Sequence, residues 1–155
     1  MSERMRGALF NIIGDLEDAR VLDVFAGTGA LGLEALSRGA TQALFVERDR
    51  VAQKVLQANI ELLGVNDRAH LVKSSVSAWV DTATDQPFDF IFADPPYHDL
   101  QLSTVKKLIK YLKPNSLMIL SHPGRELAPT VNGVVVVDNR SYGDAALAFY
   151  RLESK

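Results

Sequence analysis

Short apolar runs alternate with helix-patterned segments along most of the chain, and this alternation constrains the fold more than any other feature. The pattern predicts strands at residues 20–25, 42–46, 69–73, 88–93 and 116–121. It predicts helices at residues 3–16, 30–37, 50–63 and 102–112, with Pro114 ending the last one. Strands in which apolar residues follow one another, without alternating polar residues, are typical of a parallel sheet that is covered on both faces. We therefore expect an α/β fold built on a mostly parallel sheet.

The pattern changes near the end of the chain. Two strand-like runs, 133–139 and 145–152, are joined by the short segment 140–144, which leaves no room for a helix. Strands with so short a connection pair antiparallel. We expect this hairpin to close one edge of the sheet.

Length, charge and composition narrow the class of protein. The 155 residues suit a single domain, 1–155, with an N-terminal helix at 3–16 and two halves at 20–83 and 88–155. The net charge of −2 is less basic than is usual for a freestanding nucleic-acid binder. The lack of cysteine excludes disulfides, thiolate metal sites and cysteine nucleophiles. We expect a cytoplasmic protein without a membrane span or a metal.

A glycine-rich turn follows the first predicted strand. Gly27, Gly29 and Gly32 have the G-x-G-x-x-G spacing, and Glu47 lies 20 residues after Gly27, as in dinucleotide-binding turns. Asp23 stands where a diphosphate would be repelled, so the ligand should instead carry a cation next to an adenosine. S-adenosylmethionine has an ammonium, a sulfonium and a ribose diol. We therefore predict that Asp23 and Glu47 bind S-adenosylmethionine.

The fourth predicted strand ends in an acid, two prolines and an aromatic residue, 94–97. The Asp94 carboxylate and the Pro95 carbonyl can each accept one hydrogen of a planar –NH₂ group, while Tyr97 stacks on the attached ring. This arrangement favours methylation of an exocyclic nucleobase amine, helped mainly by proximity and orientation. It lies at the carboxyl ends of the strands, where such sheets bind ligands.

Three other functions fit part of the pattern. A nicotinamide dehydrogenase fits the glycine spacing, but not Asp23 or the 94–97 segment. A non-catalytic cofactor-binding scaffold leaves the 94–97 segment without a purpose. A DNA or RNA adenine-N6 methyltransferase fits both motifs, although we find no DNA-recognition domain in the sequence.

Segments 23–32, 45–49 and 93–97 together resemble class I S-adenosylmethionine-dependent methyltransferases. Segments 6–13 and 142–144 are similar, more narrowly, to the bacterial 16S ribosomal RNA guanine-N2 methyltransferases. The resemblance covers nearly the whole chain. It implies a seven-stranded sheet in which the last hairpin adds one antiparallel strand, with guanine N2 as the acceptor.

The resemblance also implies a role for individual residues. Those expected to bind the cofactor are Asp23, Phe25, Gly27, Gly29, Glu47, Arg48, Ser75, Val76 and Asp94. Those expected to hold the guanine are Asp94, Pro95 and Tyr97. The Ser75–Val76 pair stands where many relatives have an acid that contacts adenine, so here the Ser75 hydroxyl would have to serve.

The expected partner is 16S ribosomal RNA. Relatives usually carry a Gly- and Arg-rich basic segment before the part that matches residues 2–4, whereas this sequence starts at Met1 with a net charge of −2. Phosphate contacts supply most sequence-independent RNA affinity. We expect a chain that is truncated or docks through a ribosomal protein, and that methylates an assembled or assembling small subunit better than free RNA.

Overall fold

Strands and helices alternate throughout the computed structural model, which describes residues 1–84 and 86–153. The helices are α1 (Glu3–Ile13), α2 (Ala30–Ser37), α3 (Arg50–Leu63), α4 (Val76–Thr82) and α5 (Leu102–Leu108), the last followed by a 3₁₀ turn (Ile109–Tyr111). The strands are β1 (Arg20–Val24), β2 (Gln42–Glu47), β3 (Ala69–Lys73), β4 (Phe88–Ala93), β5 (Leu112–Pro123), β6 (Val134–Tyr142) and β7 (Ala145–Leu152). The predicted domain end at residue 155 lies outside the described residues.

The seven strands form one sheet in the order β3-β2-β1-β4-β5-β7-β6. The first five in this order are parallel to one another, which confirms the predicted mostly parallel α/β sheet. Buried residues of α1, α2 and α3 pack on one face, and those of α4 and α5 pack on the other. The continuous apolar strands are explained by this double covering.

The predicted antiparallel hairpin is confirmed, and β7 is its inner strand. β7 pairs antiparallel with both β5 and β6, so β6 forms the edge of the sheet. The turn is shorter than predicted because β6 continues to Tyr142, leaving Gly143 and Asp144 as the connection. Gly143 has φ +71°, a backbone conformation that suits a glycine in a two-residue hairpin turn.

Two predicted boundaries in the first half were wrong. The first helix ends at Ile13 instead of residue 16, because Gly14 caps it with φ +73° and donates its N–H to the Phe10 carbonyl. The first strand ends at Val24 instead of residue 25, because Phe25 turns the chain with φ +56°. A left-handed phenylalanine gives no signal in a propensity pattern.

The connections on either side of β4 also differ from prediction. α4 was not predicted, since its seven residues are too few for a clear helical period, although Trp79 and Val80 are buried on it. The helix predicted at 102–112 ends at Leu108, and β5 begins at Leu112 rather than 116. Pro114 therefore lies inside β5, where the register with β4 shifts and its missing N–H is tolerated.

No helix among the described residues is long and apolar enough to cross a membrane. Over the same part of the chain, no group of three or more His, Asp or Glu side chains could hold a metal ion.

Candidate active site at the carboxyl edge of the sheet

Two adjoining cavities open beyond the carboxyl ends of β1, β2 and β4. The Glu47 cavity measures about 320 Å³ and is lined by Phe25, Val46, Glu47, Arg48, Ser74, Ser75, Val76, Ser77, Asp94, Pro95, Pro96 and Gln101. The Asp23 cavity measures about 190 Å³ and is lined by Met1, Arg6, Asp23, Phe25, Ala26, Gly27, Thr28, Ala30, Leu31 and Asp94. Phe25 and Asp94 line both, so the cavities meet at these two residues.

The glycine-rich turn between β1 and α2 shapes the wall of the Asp23 cavity. Gly29 occupies the N-cap of α2 with φ +83°, and a Cβ at this position would collide with Leu56 of α3. A larger residue there would force the Leu56 side chain to move. Gly29 lines neither cavity, and its part in cofactor binding stays a prediction.

Glu47 ties the glycine-rich turn to the start of α3. Its Oε1 accepts a hydrogen bond from the Gly27 N–H at 2.7 Å, and its Oε2 accepts one from the Asp49 N–H at 2.7 Å. An ionised carboxylate has about four acceptor positions, so each oxygen can accept a further hydrogen bond from the cavity side. The structure therefore places Glu47 where a diol could bind it.

Asp23 is a buried carboxylic acid, with only 2% of its surface exposed. Burial raises its pKa well above the ordinary value, the Gly32 N–H that it accepts at 3.0 Å opposes the rise, and the negative charges of Asp94 and Glu47 add to it. Taking a carboxylate out of water is costly unless a cation compensates it. A ligand cation in the Asp23 cavity would provide that compensation.

Asp94 follows the last residue of β4 and reaches both cavities. Its Oδ2 lies 3.4 Å from the Met1 ammonium, which is a long distance for an ion pair. Pro95 is buried beside it, and Pro95 and Pro96 both line the Glu47 cavity. A carboxylate and a rigid proline turn therefore stand together at the junction of the cavities.

Tyr97 lies outside both cavities. Its ring is 37% exposed, and its hydroxyl group is hydrogen-bonded to the Ser121 hydroxyl at the end of β5. Partial burial raises the pKa of Tyr97, so the phenol stays neutral near pH 7. Ser121, which is 0% exposed, had not been predicted as part of the site. It gives no sequence signal because its role depends on the pairing of β5 beside β4.

The two residues after β3 and the first two residues of α4 line the Glu47 cavity. Ser75 is the N-cap of α4, and its Oγ accepts the Ala78 N–H at 3.2 Å, which uses only part of the hydrogen-bonding capacity of the hydroxyl. Its contact with adenine stays a prediction. Val76 contributes an apolar wall. Gln101 was not predicted, since its position depends on a left-handed backbone (φ +51°) just before α5.

Known proteins are similar to this chain over nearly its whole length. The family model described as conserved hypothetical protein 95 matches residues 1–151. The Bacillus subtilis protein named "Putative rRNA methyltransferase YlbH" is 32% identical over 157 residues, which cover 97% of this chain and 85% of that protein. "Ribosomal RNA small subunit methyltransferase D" of Buchnera aphidicola is 30% identical over 132 residues, covering 81% of this chain and 67% of that protein.

A solved structure shares the fold. "Putative methyltransferase yhhF from Escherichia coli" superimposes with a TM-score of 0.88 at 31% identity, covering 99% of this chain and 87% of the other. The predicted family and the predicted cofactor are confirmed by these findings together. The chain belongs to the conserved hypothetical protein 95 family of class I S-adenosylmethionine-dependent methyltransferases.

Proposed function

We propose that this chain transfers a methyl group from S-adenosylmethionine to the exocyclic N2 amine of a guanine in small-subunit ribosomal RNA. The observation that carries the proposal is the Asp94 carboxylate at the junction of the two cavities, next to the buried Pro95. The names of the Bacillus and Buchnera relatives support ribosomal RNA as the substrate. The choice of guanine N2 rests on the resemblance of segments 6–13 and 142–144.

The residues present suit the cofactor. Asp23 is a buried carboxylate that needs a cation, and S-adenosylmethionine carries an ammonium and a sulfonium. Glu47 has acceptor positions left for ribose hydroxyls, and Val46 and Val76 offer an apolar wall to the adenine ring. When bound, the cofactor supplies an electrophilic methyl group.

The chain's own residues would act on the acceptor amine. The lone pair of a guanine N2 is delocalised into the ring, which makes it a poor nucleophile. Asp94 and the Pro95 carbonyl would each accept one amine hydrogen, turning the nitrogen toward tetrahedral geometry and concentrating its lone pair. This positions the amine, and the Asp94 carboxylate stabilises the positive charge that develops on N2 as the N–C bond forms and the methyl–sulfur bond breaks. The N2 proton, which becomes acidic only as the N–C bond forms, then leaves to Asp94 or to solvent.

We also infer that the RNA is presented by an assembled or assembling small subunit. The net charge of −2 gives weak overall attraction to RNA, and a guanine must be splayed out of its stack before its N2 reaches the site. Contacts with a ribosomal protein would help to offset that cost.

One experiment tests the substrate and the acceptor atom. The protein, labelled S-adenosylmethionine and either naked 16S RNA or small-subunit particles from cells lacking this protein are incubated, and the digested nucleosides are identified by mass spectrometry. We expect N2-methylguanosine, formed faster in particles. Detection of N6-methyladenosine instead would show that adenine is the acceptor. No methylation of either substrate would indicate a non-catalytic cofactor-binding scaffold.

The buried acid gives the cofactor affinity a pH dependence. Because a cationic ligand favours ionised Asp23, the affinity for S-adenosylmethionine should rise as pH increases through the raised pKa of this group. Asp23→Asn keeps an oxygen acceptor for the Gly32 N–H but cannot ionise. Titration calorimetry at a series of pH values above 3.8, the ordinary pKa of an aspartate, should therefore give a sloped profile for the wild type and weaker, flat binding for Asp23→Asn.

The same group affects stability with a definite sign. The pKa of Asp23 is higher in the folded chain than the unfolded value of about 3.9. Asp23 therefore stays protonated to a higher pH in the folded state than in the unfolded state. The free energy of unfolding should fall as pH rises from about 3.9 through the folded pKa. Asp23→Asn should remove this fall, and an unchanged slope would contradict the assignment.

The hydrogen bond between Tyr97 and Ser121 should matter for RNA binding. Tyr97→Ala should raise the KM for RNA by the equivalent of about 1–3 kcal/mol, the usual worth of base stacking on an aromatic ring. Tyr97→Phe and Ser121→Ala should each cost about 0.5–1.5 kcal/mol. Because both remove the same hydrogen bond, the double variant should cost less than their sum. Strictly additive effects would show that Ser121 does not hold the ring.

A further inference from the structure

A cationic groove lies outside the active site, between α3 and the edge strand β3. This α3 groove measures about 550 Å³ and is lined by Arg50, Gln53, Lys54, Gln57, Ala58, Glu61 and Lys73. Its three cations are exposed, while its one acid, Glu61, accepts a hydrogen bond from the Gln57 amide at 3.3 Å. The groove therefore combines three positive charges with one negative charge.

The cations of the α3 groove are unpaired within the described ranges 1–84 and 86–153, where no carboxylate lies within ion-pair distance of Arg50, Lys54 or Lys73. Five other basic side chains have such partners there, namely Arg6, Arg38, Lys107, Lys113 and Arg140, whereas others, such as Arg48 and Lys106, have none. What distinguishes the groove is that three cations and only one acid line it. In a chain with a net charge of −2, this is a local excess of positive charge. Such an excess attracts a polyanion.

The α3 groove lies near the active site, although it shares no lining residue with either cavity. Lys73 stands opposite Glu47 in the register of β3 with β2, and Arg48, which lines the Glu47 cavity, precedes the groove residue Arg50 by two positions. From the end of β4, where Asp94 lies, three strand spacings lead to β3, a distance of roughly 14 Å. An RNA backbone of a few nucleotides spans a distance of this size.

We propose that the α3 groove binds backbone phosphates of the substrate RNA, a few nucleotides away from the methylated base. The proposal rests on the proposed function for its polyanion. Arg50 and Lys54 are one helical turn apart and lie on the same face of α3, so they present neighbouring charges. A guanidinium fork and two ammonium groups in a row match successive phosphates, which repeat along an RNA strand at short intervals.

The test compares two variants with equal changes in charge. The first is the triple variant Arg50→Gln, Lys54→Gln and Lys73→Gln. The control is Lys106→Gln, Lys107→Gln and Lys110→Gln, in α5 and the 3₁₀ turn, since α5 packs on the opposite face of the sheet. For each protein, we would measure binding of a 16S RNA transcript between 50 and 200 mM salt. We would also measure S-adenosylmethionine affinity, and kcat and KM for methylation of the transcript and of small-subunit particles.

The groove variant should bind the transcript tenfold or more weakly, on the order expected when phosphate contacts are lost, and its salt slope should fall by about 2–3. Its KM should rise while kcat and cofactor affinity stay unchanged, and the control should behave as the wild type. If both variants lost RNA affinity equally, the loss would come from the change in net charge, and the α3 groove would not be a specific phosphate-binding site. A loss seen only with ribosomal particles would make the groove a protein-docking surface, and no effect on either would overturn it.

The wild-type measurements separate this proposal from the proposed function. If the wild type methylates neither the transcript nor the particles, the proposed function fails. The groove is still judged by transcript binding, because affinity and its salt slope do not depend on methyl transfer.

Discussion

Asp94→Ala should slow methyl transfer by about 100-fold or more in single-turnover measurements at saturating RNA, while the affinity for S-adenosylmethionine stays nearly unchanged. The reason is that Asp94 would contact the acceptor amine while the transfer occurs. Loss of one hydrogen-bond partner in a transition state slows a reaction to about this extent. The carboxylate is already positioned, because it follows β4 directly and is flanked by the rigid Pro95–Pro96 pair.

A matched pair of substitutions gives this prediction its control. Asp94→Asn removes the charge but keeps one oxygen acceptor, so we expect an intermediate loss. Asp99→Asn makes the same chemical change five residues later, where the side chain accepts the Gln101 N–H and lines neither cavity. It should transfer methyl groups at close to the wild-type rate. Normal transfer by Asp94→Ala would refute the amine-receptor mechanism.

Glu47→Ala should weaken S-adenosylmethionine binding by about 1–3 kcal/mol, or roughly 5- to 150-fold in Kd. The structure also predicts that this variant loses stability. Because both carboxylate oxygens accept backbone N–H groups, of Gly27 and Asp49, the variant should also unfold more easily, by roughly 1–2 kcal/mol. Calorimetry gives the first quantity and denaturant titration gives the second.

The conservative variant separates these two effects. Glu47→Gln keeps one oxygen that can accept either the Gly27 N–H or the Asp49 N–H, but its NH₂ group cannot accept the other, so only part of the lost stability should return. Its amide cannot offer the same charge to ribose hydroxyls, so cofactor affinity should stay reduced. A folded Glu47→Ala protein with unchanged affinity would remove Glu47 from the binding site.

The fold could be predicted from the sequence wherever a local pattern determines the structure. The buried runs gave the parallel strands, and the short 140–144 segment gave the hairpin, because both depend on neighbouring residues. The boundaries at Phe25 and Pro114 were missed, because tertiary packing overrides local preference there. α4 was missed because its seven residues span only about two turns.

The candidate site shows the same division. Asp23, Glu47 and Asp94 line the cavities as their motifs suggested, since each sits next to a strand end. Their roles in binding and catalysis remain proposals. Ser121 and Gln101 could not be found, because one depends on which strand pairs beside β4 and the other on a left-handed backbone. The capping role of Ser75 likewise required knowledge of α4.

The placement of β7 between β5 and β6 has a consequence for synthesis on the ribosome. β6 leaves the ribosome before β7, yet it cannot join the sheet until β7 has paired with β5. Until then, β5 presents an open and mostly apolar edge, the kind of surface that recruits other strands and leads to aggregation. A nonsense mutation within 145–152 would fix the nascent chain in that state, with the cofactor half of the sheet already made.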